Sequence, residues 1–165
     1  MSLLALERLK ERFGAAVVAT ASAHGNEMAT VERAHSHEIL AFLRDDAETS
    51  FDFLSDVTAV DYLAYPPAGR TPRYEVVYQL YSTAKKHRLR IKVGLPDEDN
   101  PAIDSVVDLW PGAGWLEREV WDLYGIKFTG HPDLRRILMY EEFVGHPLRK
   151  DYLINRRQPL IGPKN

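Results

Sequence analysis

YEVVYQLYSTAKKHRLRIKVGL, Tyr74 to Leu95, decides the fold. Tyr74, Val76, Tyr78 and Leu80 alternate with Glu75 and Gln79; Leu89, Ile91, Val93 and Leu95 alternate with Arg88, Arg90 and Lys92. A period of two puts successive side chains on opposite faces of a pleated strand, so the stretch predicts two half-buried strands joined as a hairpin around Lys85-Lys86. The stripe of Arg88, Arg90 and Lys92 lacks interleaved aromatic rings, which a single-strand nucleic-acid platform needs for base stacking. It reads as a solvated outer face.

Upstream of the hairpin, Phe51 to Tyr65 holds one strand centred on Val57 to Leu63, and Pro66-Pro67-Ala68-Gly69 must be a loop. The apolar spacing of Leu3, Leu6 and Leu9 predicts an opening helix that runs to Phe13 and stops at Gly14. Ala15 to Ala19 and Glu27 to Glu32 read as strands joined by a turn at His24-Gly25-Asn26. A second helix is expected from His37 to Asp46, with Ser36 as N-cap and Ile39, Leu40, Phe42 and Leu43 facing inward. Downstream, Pro101 can occupy a first helical turn, and Ile103, Val106, Val107 and Trp110 form a helical stripe that Pro111 stops. A further helix spans Trp115 to Tyr124, with Gly125 in the left-handed cap position.

These elements, in 165 residues, predict one α+β domain: a mixed, largely antiparallel sheet covered by helices, followed by an extended C-terminal tail. The domain is expected to occupy residues 1–138 and a partner-binding tail 139–165. Asn155-Arg156-Arg157-Gln158-Pro159 and its surroundings are too rich in proline and charge for a sheet or long helix, so the tail is expected to lie extended on a neighbour.

Composition excludes several functions. The net charge is −3, but it is unevenly spread: residues from His131 onward carry +3 and the preceding portion −6. The basic residues alternate with acids, prolines and aliphatics, which favours an acidic protein neighbour over nucleic acid or lipid. With no cysteine, the chain cannot hold an iron–sulfur cluster through thiolates. Of the six histidines only His35 and His37 are close, and two imidazoles without further ligands do not define a metal site. Gly112 and Gly114 belong to neither a dinucleotide fingerprint nor a P-loop, which argues against NADH binding. No apolar run reaches the ~18 residues a spanning helix needs, and the N-terminus lacks a signal-peptide pattern. Glu117, Glu119 and Asp122 invite a hydrolase reading, yet no nucleophile or closed pocket accompanies them.

The run LEREVWDLYGIKFTGHPDLRRIL, Leu116 to Leu138, interleaves charges with groups that want burial. Glu117, Arg118, Glu119, Asp122, Asp133, Arg135 and Arg136 stand beside Trp121, Leu123, Tyr124, Ile126 and Phe128. Apolar anchors flanked by orienting charges suit a permanent protein interface. On the expected helix Leu116, Val120, Leu123 and Tyr124 share helical spacing, leaving Glu117, Arg118 and Asp122 on other flanks. Arg118 and Asp122 are four apart, compatible with an intrahelical pair. His131 and His146 read as hydrogen-bonded turn residues.

Glu117-Arg118-Glu119, Asp122, Gly125-Ile126, Phe128 and Gly130-His131-Pro132-Asp133-Leu134-Arg135-Arg136-Ile137-Leu138, followed by Gly145-His146-Pro147-Leu148-Arg149-Lys150-Asp151-Tyr152, resemble in order and spacing the thirty-kilodalton subunit family of respiratory complex I, the C subunit of bacterial NADH:quinone oxidoreductase. Phe51 to Leu63 and Tyr74 to Leu80 resemble family strands, so the likeness covers most of the chain after Phe51. The resemblance implies a cofactor-free, non-catalytic subunit of the hydrophilic arm, with FMN and iron–sulfur clusters held by partner subunits. Its implied neighbours are the large quinone-site subunit, the terminal-cluster subunit and other hydrophilic-arm subunits, without nucleic acid or a transmembrane segment of its own. Its implied location is peripheral, on the cytoplasmic side of a bacterial membrane. The implied partner-binding residues are Glu117, Arg118, Glu119, Trp121, Asp122, Phe128, His131, Pro132, Asp133, Arg135, Arg136, His146, Arg149 and Lys150. The alternative is the homologous scaffold subunit of a membrane-bound hydrogenase or ferredoxin-dependent quinone oxidoreductase. A free-standing protein- or RNA-binding module is the reading from a different class.

Overall fold

A computed structural model describes residues 2–63 and 72–159. The chain runs α1 (Ser2–Phe13), β1 (Val17–Ala23), β2 (Asn26–Val31), α2 (Ser36–Asp45), β3 (Phe53–Asp61), β4 (Tyr74–Ser82), β5 (His87–Leu95), β6 (Ala102–Asp104), α3 (Ala113–Tyr124) and β7 (Lys127–Thr129). The loop expected at Pro66 to Gly69 lies outside the described residues. β1 to β5 form one sheet in the order β1-β2-β5-β4-β3. Its pairs are antiparallel except β2 with β5, which run parallel. The β4–β5 hairpin forms as its alternation predicts, with Tyr78 opposite Ile91 and Val76 opposite Val93.

One face of this sheet carries Val57 and Ala59 from β3, Tyr74, Val76, Tyr78 and Leu80 from β4, Leu89, Ile91, Val93 and Leu95 from β5, and Ala29 and Val31 from β2, all buried. They join Ala5, Leu6 and Leu9 of α1, Ile39, Leu40 and Leu43 of α2 and Val120 of α3 in one hydrophobic cluster. On the opposite face Lys92 pairs with Glu75 at 2.7 Å, and Arg90 donates to Gln79 at 3.3 Å. The basic stripe is therefore partly satisfied by its own sheet. Architecture is α+β: a mixed, mostly antiparallel sheet with flanking helices, then an extended C-terminal region without helix or strand through Pro159.

Two local expectations fail. Ser36 does not cap α2: its hydroxyl donates back to the Arg33 carbonyl at 2.8 Å, while His35 occupies the N-cap position without a side-chain cap. The helix expected over Pro101 to Trp110 is replaced by β6, which pairs parallel with β7 in a separate two-stranded sheet, Ile103 opposite Phe128. The helical spacing of Ile103, Val106 and Trp110 arises because all three enter the core from a strand and the turn after it. β-branched Ile103 finds its ladder partner 25 residues downstream, which local periodicity cannot reveal.

Candidate protein-docking site

The charged run begins on α3, which packs against β3 and ends at Gly125 in the left-handed conformation (φ 73°). A helix leaves its last four carbonyls without intrahelical donors. Here Trp121 O accepts from Gly125 N at 2.8 Å and Leu123 O from Leu148 N at 3.0 Å. Asp122 O accepts from His146 Nδ1 at 2.9 Å, and Tyr124 O from Arg149 Nε at 2.5 Å. Three of these four donors come from the tail, which therefore serves as the helix cap. Arg149 places its cation at the negative end of the helix dipole. A side chain at Gly125 would put a Cβ 2.5 Å from His146 Cδ2, so the glycine is required both by conformation and by the tail's approach.

Asp122, with no exposed surface, is the centre of this cap. Its Oδ2 accepts three successive backbone N–H groups, from Ile137 (3.0 Å), Leu138 (2.8 Å) and Met139 (2.8 Å). Its Oδ1 pairs with Arg136 Nη1 at 2.5 Å. Arg136 reaches onward through Nη2 to the carbonyls of Phe143 (2.7 Å) and Gly145 (3.1 Å). Burial pushes the Asp122 carboxyl up, but the backbone donors and Arg136 together hold it below the ordinary value of 3.8. At His146 burial dominates and lowers the imidazole, with Arg149 and Arg136 adding to the effect and the Asp122 carbonyl opposing it.

A second buried carboxylate, Asp61 at the end of β3, holds the tail farther along. Arg73 forks onto it, Nε to Oδ1 at 3.0 Å and Nη2 to Oδ2 at 2.9 Å, and Lys150 N donates to Oδ2 at 2.9 Å. Arg73 also pairs with Asp151 at 3.0 Å. Tyr74 lies under both Arg73 (4.7 Å) and Arg149 (5.3 Å). Burial raises the Asp61 carboxyl, but Arg73 and the backbone N–H groups of Lys150 and, at 3.0 Å from Oδ1, Leu63 outweigh it and keep the group below its ordinary value.

Glu117, like Asp122, has no exposed surface. Its oxygens accept from Ser105 Oγ at 2.6 Å and Val106 N at 2.7 Å, pinning the segment after β6 to the first half of α3. Burial raises this carboxyl above 4.5 despite the two donors. Nearby, His131 Nε2 donates to the Gly114 carbonyl at 3.0 Å and its Nδ1 accepts from Asp133 N at 3.0 Å. That pattern assigns the neutral tautomer with the proton on Nε2.

The structure thus corrects the expectation that Glu117 and Asp122 lie on outward flanks. Both point inside, and Phe128 is in the chain's own core. Arg118 and Asp122 do not pair along the helix; Arg118 donates to the carbonyls of Arg135 (3.1 Å) and Arg136 (2.8 Å) and covers Trp115 at 5.2 Å. Glu119, Pro132, Asp133, Arg135 and Lys150 are exposed, whereas Trp121, His131, Arg136, His146 and Arg149 are half-buried. Sequence reasoning missed Asp61 and Ser105. For Asp61 the available signal was an acid at an inward strand position paired with an arginine across the hairpin gap.

Leu138 and, in the tail, Val144, Leu148, Leu153 and Ile154 are exposed, the last fully at 102%; Leu3, Leu4, Val18, Phe53, Leu63 and Trp115 are exposed elsewhere. Among the described residues no group of three His, Cys, Asp or Glu side chains converges as a metal site, and no helix is long and apolar enough to cross a membrane.

Residues 29–158 match the family model described as respiratory-chain NADH dehydrogenase, 30 Kd subunit. The NADH-quinone oxidoreductase C subunit of Geobacter sulfurreducens is 47% identical over 159 residues, covering 96% of this chain and 90% of the relative. The protein of the same description from Roseiflexus sp. is 47% identical over 146 residues, covering 88% and 80%. Among solved structures, the trypsin-resistant fragment (1-134) of Nqo5 aligns with a TM-score of 0.68 at 37% identity, covering 79% of this chain and 99% of the fragment. A chain of the membrane-bound sulfane sulfur reductase, an archaeal respiratory membrane complex, aligns with a TM-score of 0.74 over 93% of this chain and 86% of its own; at 24% identity this likeness concerns the fold alone. The chain belongs to the respiratory-chain NADH dehydrogenase 30-kilodalton subunit family.

Proposed function

We propose that this chain is a non-catalytic structural subunit of the hydrophilic arm of a proton-pumping NADH:quinone oxidoreductase. It supports the quinone-site subunit and lies near the subunit holding the terminal iron–sulfur cluster, while flavin and clusters in partner subunits carry electrons from NADH to quinone. The observation that carries this reading is the family match over residues 29–158, with NADH-quinone oxidoreductase relatives at 47% identity. The reading places the chain at the cytoplasmic side of a bacterial membrane, attached through its partners.

Residues 1–138 form the scaffold in this proposal and 139–165 the partner-binding tail. A trypsin-resistant fragment of Nqo5 that aligns over 79% of this chain supports a boundary in this region. Partner contact falls to the outward groups: Glu119, Pro132, Asp133, Arg135 and Lys150 at the rim, with part of Trp121 and the exposed tail aliphatics at the centre. Glu117, Asp122 and Phe128 act indirectly, by shaping that surface. The second reading is the homologous scaffold subunit of a membrane-bound hydrogenase or a ferredoxin-dependent quinone oxidoreductase.

Affinity purification of the assembly through a tag on this chain tests the proposal. The expected result is copurification with flavin-, NADH- and cluster-binding subunits, and no flavin, iron or NADH oxidation in the isolated chain. A nickel–iron partner would favour the second reading. Stoichiometric flavin or iron on the isolated polypeptide would overturn the non-catalytic assignment.

A further inference from the structure

We propose that Asp61 and Asp122 hold residues 136–151 as a preformed docking strap, so that the tail meets its protein partner already shaped. This rests on the scaffold reading and assigns the two aspartates as positioning residues within it. Both carboxylates are buried, and besides the guanidinium groups of Arg73 and Arg136 what they hold is backbone. Asp122 fixes three consecutive N–H groups of residues 137–139; Asp61 fixes the N–H of Lys150. Between these points Arg136 ties down the carbonyls of Phe143 and Gly145, and Leu148 N, His146 and Arg149 engage the last turn of α3. Phe143 stacks on Tyr152 at 6.0 Å. Gln158 closes the far end through Val144 O and the Tyr152 hydroxyl.

Ties made to main-chain groups set the path of a segment independently of its side chains, which are then free for another task. With the polar backbone satisfied inward, Leu138, Val144, Leu148, Leu153 and Ile154 are left in solvent. Five exposed aliphatics within 17 residues of chain fixed by its backbone offer the apolar area that a protein-binding surface needs. Exposed Arg135, Lys150, Arg156 and Arg157 lie among these aliphatics, together with exposed Asp133, Glu141, Glu142 and Asp151. The surface fits a protein patch with an apolar centre and a rim carrying charges of both signs, since its exposed acids would be repelled by an anionic lipid surface. It does not fit a bilayer as well, because an interfacial membrane segment sorts apolar and basic residues onto two faces of a helix, and this stretch contains no helix. Ordering the strap before association removes part of the entropic cost that a disordered tail would carry into binding.

Hydrogen exchange on the full-length free chain and on the assembled complex tests the strap. In the free wild-type chain the amides of Ile137, Leu138, Met139 and Lys150 are expected to exchange about 100-fold more slowly than an unstructured peptide. Asp122→Ala should erase that protection at residues 137–139 and Asp61→Ala at Lys150 while Tyr74 to Leu95 stays protected, and each variant should leave the complex about ten-fold faster. Fast exchange of those four amides in the free wild-type chain, with the hairpin protected, overturns the proposal. So does normal retention of variants whose strap has lost protection. Strap-dependent binding to anionic phospholipid vesicles, without strap-dependent retention by protein partners, overturns the choice of partner. Should the variants unfold as whole domains, seen as loss of hairpin protection, the wild-type measurement decides alone. Failure of the scaffold reading is seen separately, as absence of redox subunits in the purification.

Discussion

Glu117→Ala is the substitution that most directly tests whether the charged run is internal structure. It removes the acceptor for Ser105 Oγ and Val106 N, held at 2.6 and 2.7 Å, from a place where Ser105, Val106 and Glu117 are all buried. A buried donor left unsatisfied costs roughly 1–3 kcal/mol, and the vacated side-chain volume adds a cavity contribution. Allowing for relaxation of the turn after β6, the expected loss is about 3–5 kcal/mol, a large share of the roughly 5–15 kcal/mol that holds a domain. Glu117→Gln retains an acceptor for Val106 N and offers its amide to Ser105 Oγ, so its cost at neutral pH should be about 1 kcal/mol. Exposed Glu119→Ala should stay within about 0.5 kcal/mol of wild type. Urea unfolding of the full chain, followed by tryptophan fluorescence, measures all three. Equal midpoints for Glu117→Ala and Glu119→Ala would refute the internal role. The pH dependence supplies a second check. Because burial raises the folded-state carboxyl above 4.5, its contribution is fully present below that value and is lost as pH rises through the raised pKa. The cost of Glu117→Gln should therefore be largest in acid and shrink toward neutral pH.

Three other outcomes are expected. Gly125→Ala forces a left-handed alanine and drives its Cβ toward His146; it should cost about 1–2 kcal/mol from conformation alone and expose the Leu148 amide to exchange, whereas unchanged stability with a protected Leu148 would count against the tail's capping role. Asp61 and Asp122 are held below their ordinary value of 3.8, so their stabilisation is present above that value and is lost as pH falls through the depressed pKa values; protection of residues 137–139, relative to an unstructured peptide at the same pH, should fall only below about pH 4, and a fall in protection between pH 7 and 5 would contradict the assignment. Arg118→Ala gives up two donors to the Arg135 and Arg136 carbonyls and should cost about 1 kcal/mol by thermal or urea unfolding; a gain in stability would contradict this pairing.

The sheet was legible because a half-buried strand writes its two faces into alternate residues, as Tyr74 to Leu80 and Leu89 to Leu95 do. α1, α2 and α3 were legible for the corresponding reason at a period of 3.6, and the left-handed cap at Gly125 because glycine there has a conformational cause. β6 was not. Three residues held by a parallel partner 25 positions away leave no periodic signature, and the inward positions of Ile103, Val106 and Trp110 imitate a helix. Ser36 misled for a related reason: a serine just before a helix can satisfy the Arg33 carbonyl as readily as a free N–H.

The charged run shows why a buried network and an interface look alike in one dimension. Both place carboxylates and guanidinium groups beside aromatics, since both must satisfy ions out of water. What distinguishes them is whether the chain itself returns to supply the partners. Here it does: Asp122 is met by Arg136 and the backbone of residues 137–139, Asp61 by Arg73 and Lys150 N, and Glu117 by Ser105 and Val106 N. Once those ions are folded inward, the outward chemistry changes character. The tail displays aliphatics fringed by charges of both signs, so association should draw chiefly on apolar burial, with charge setting encounter rate and orientation. Rim substitutions such as Arg135→Ala should then slow assembly in a salt-dependent way, while removal of the carboxylates beneath the strap should shorten its lifetime.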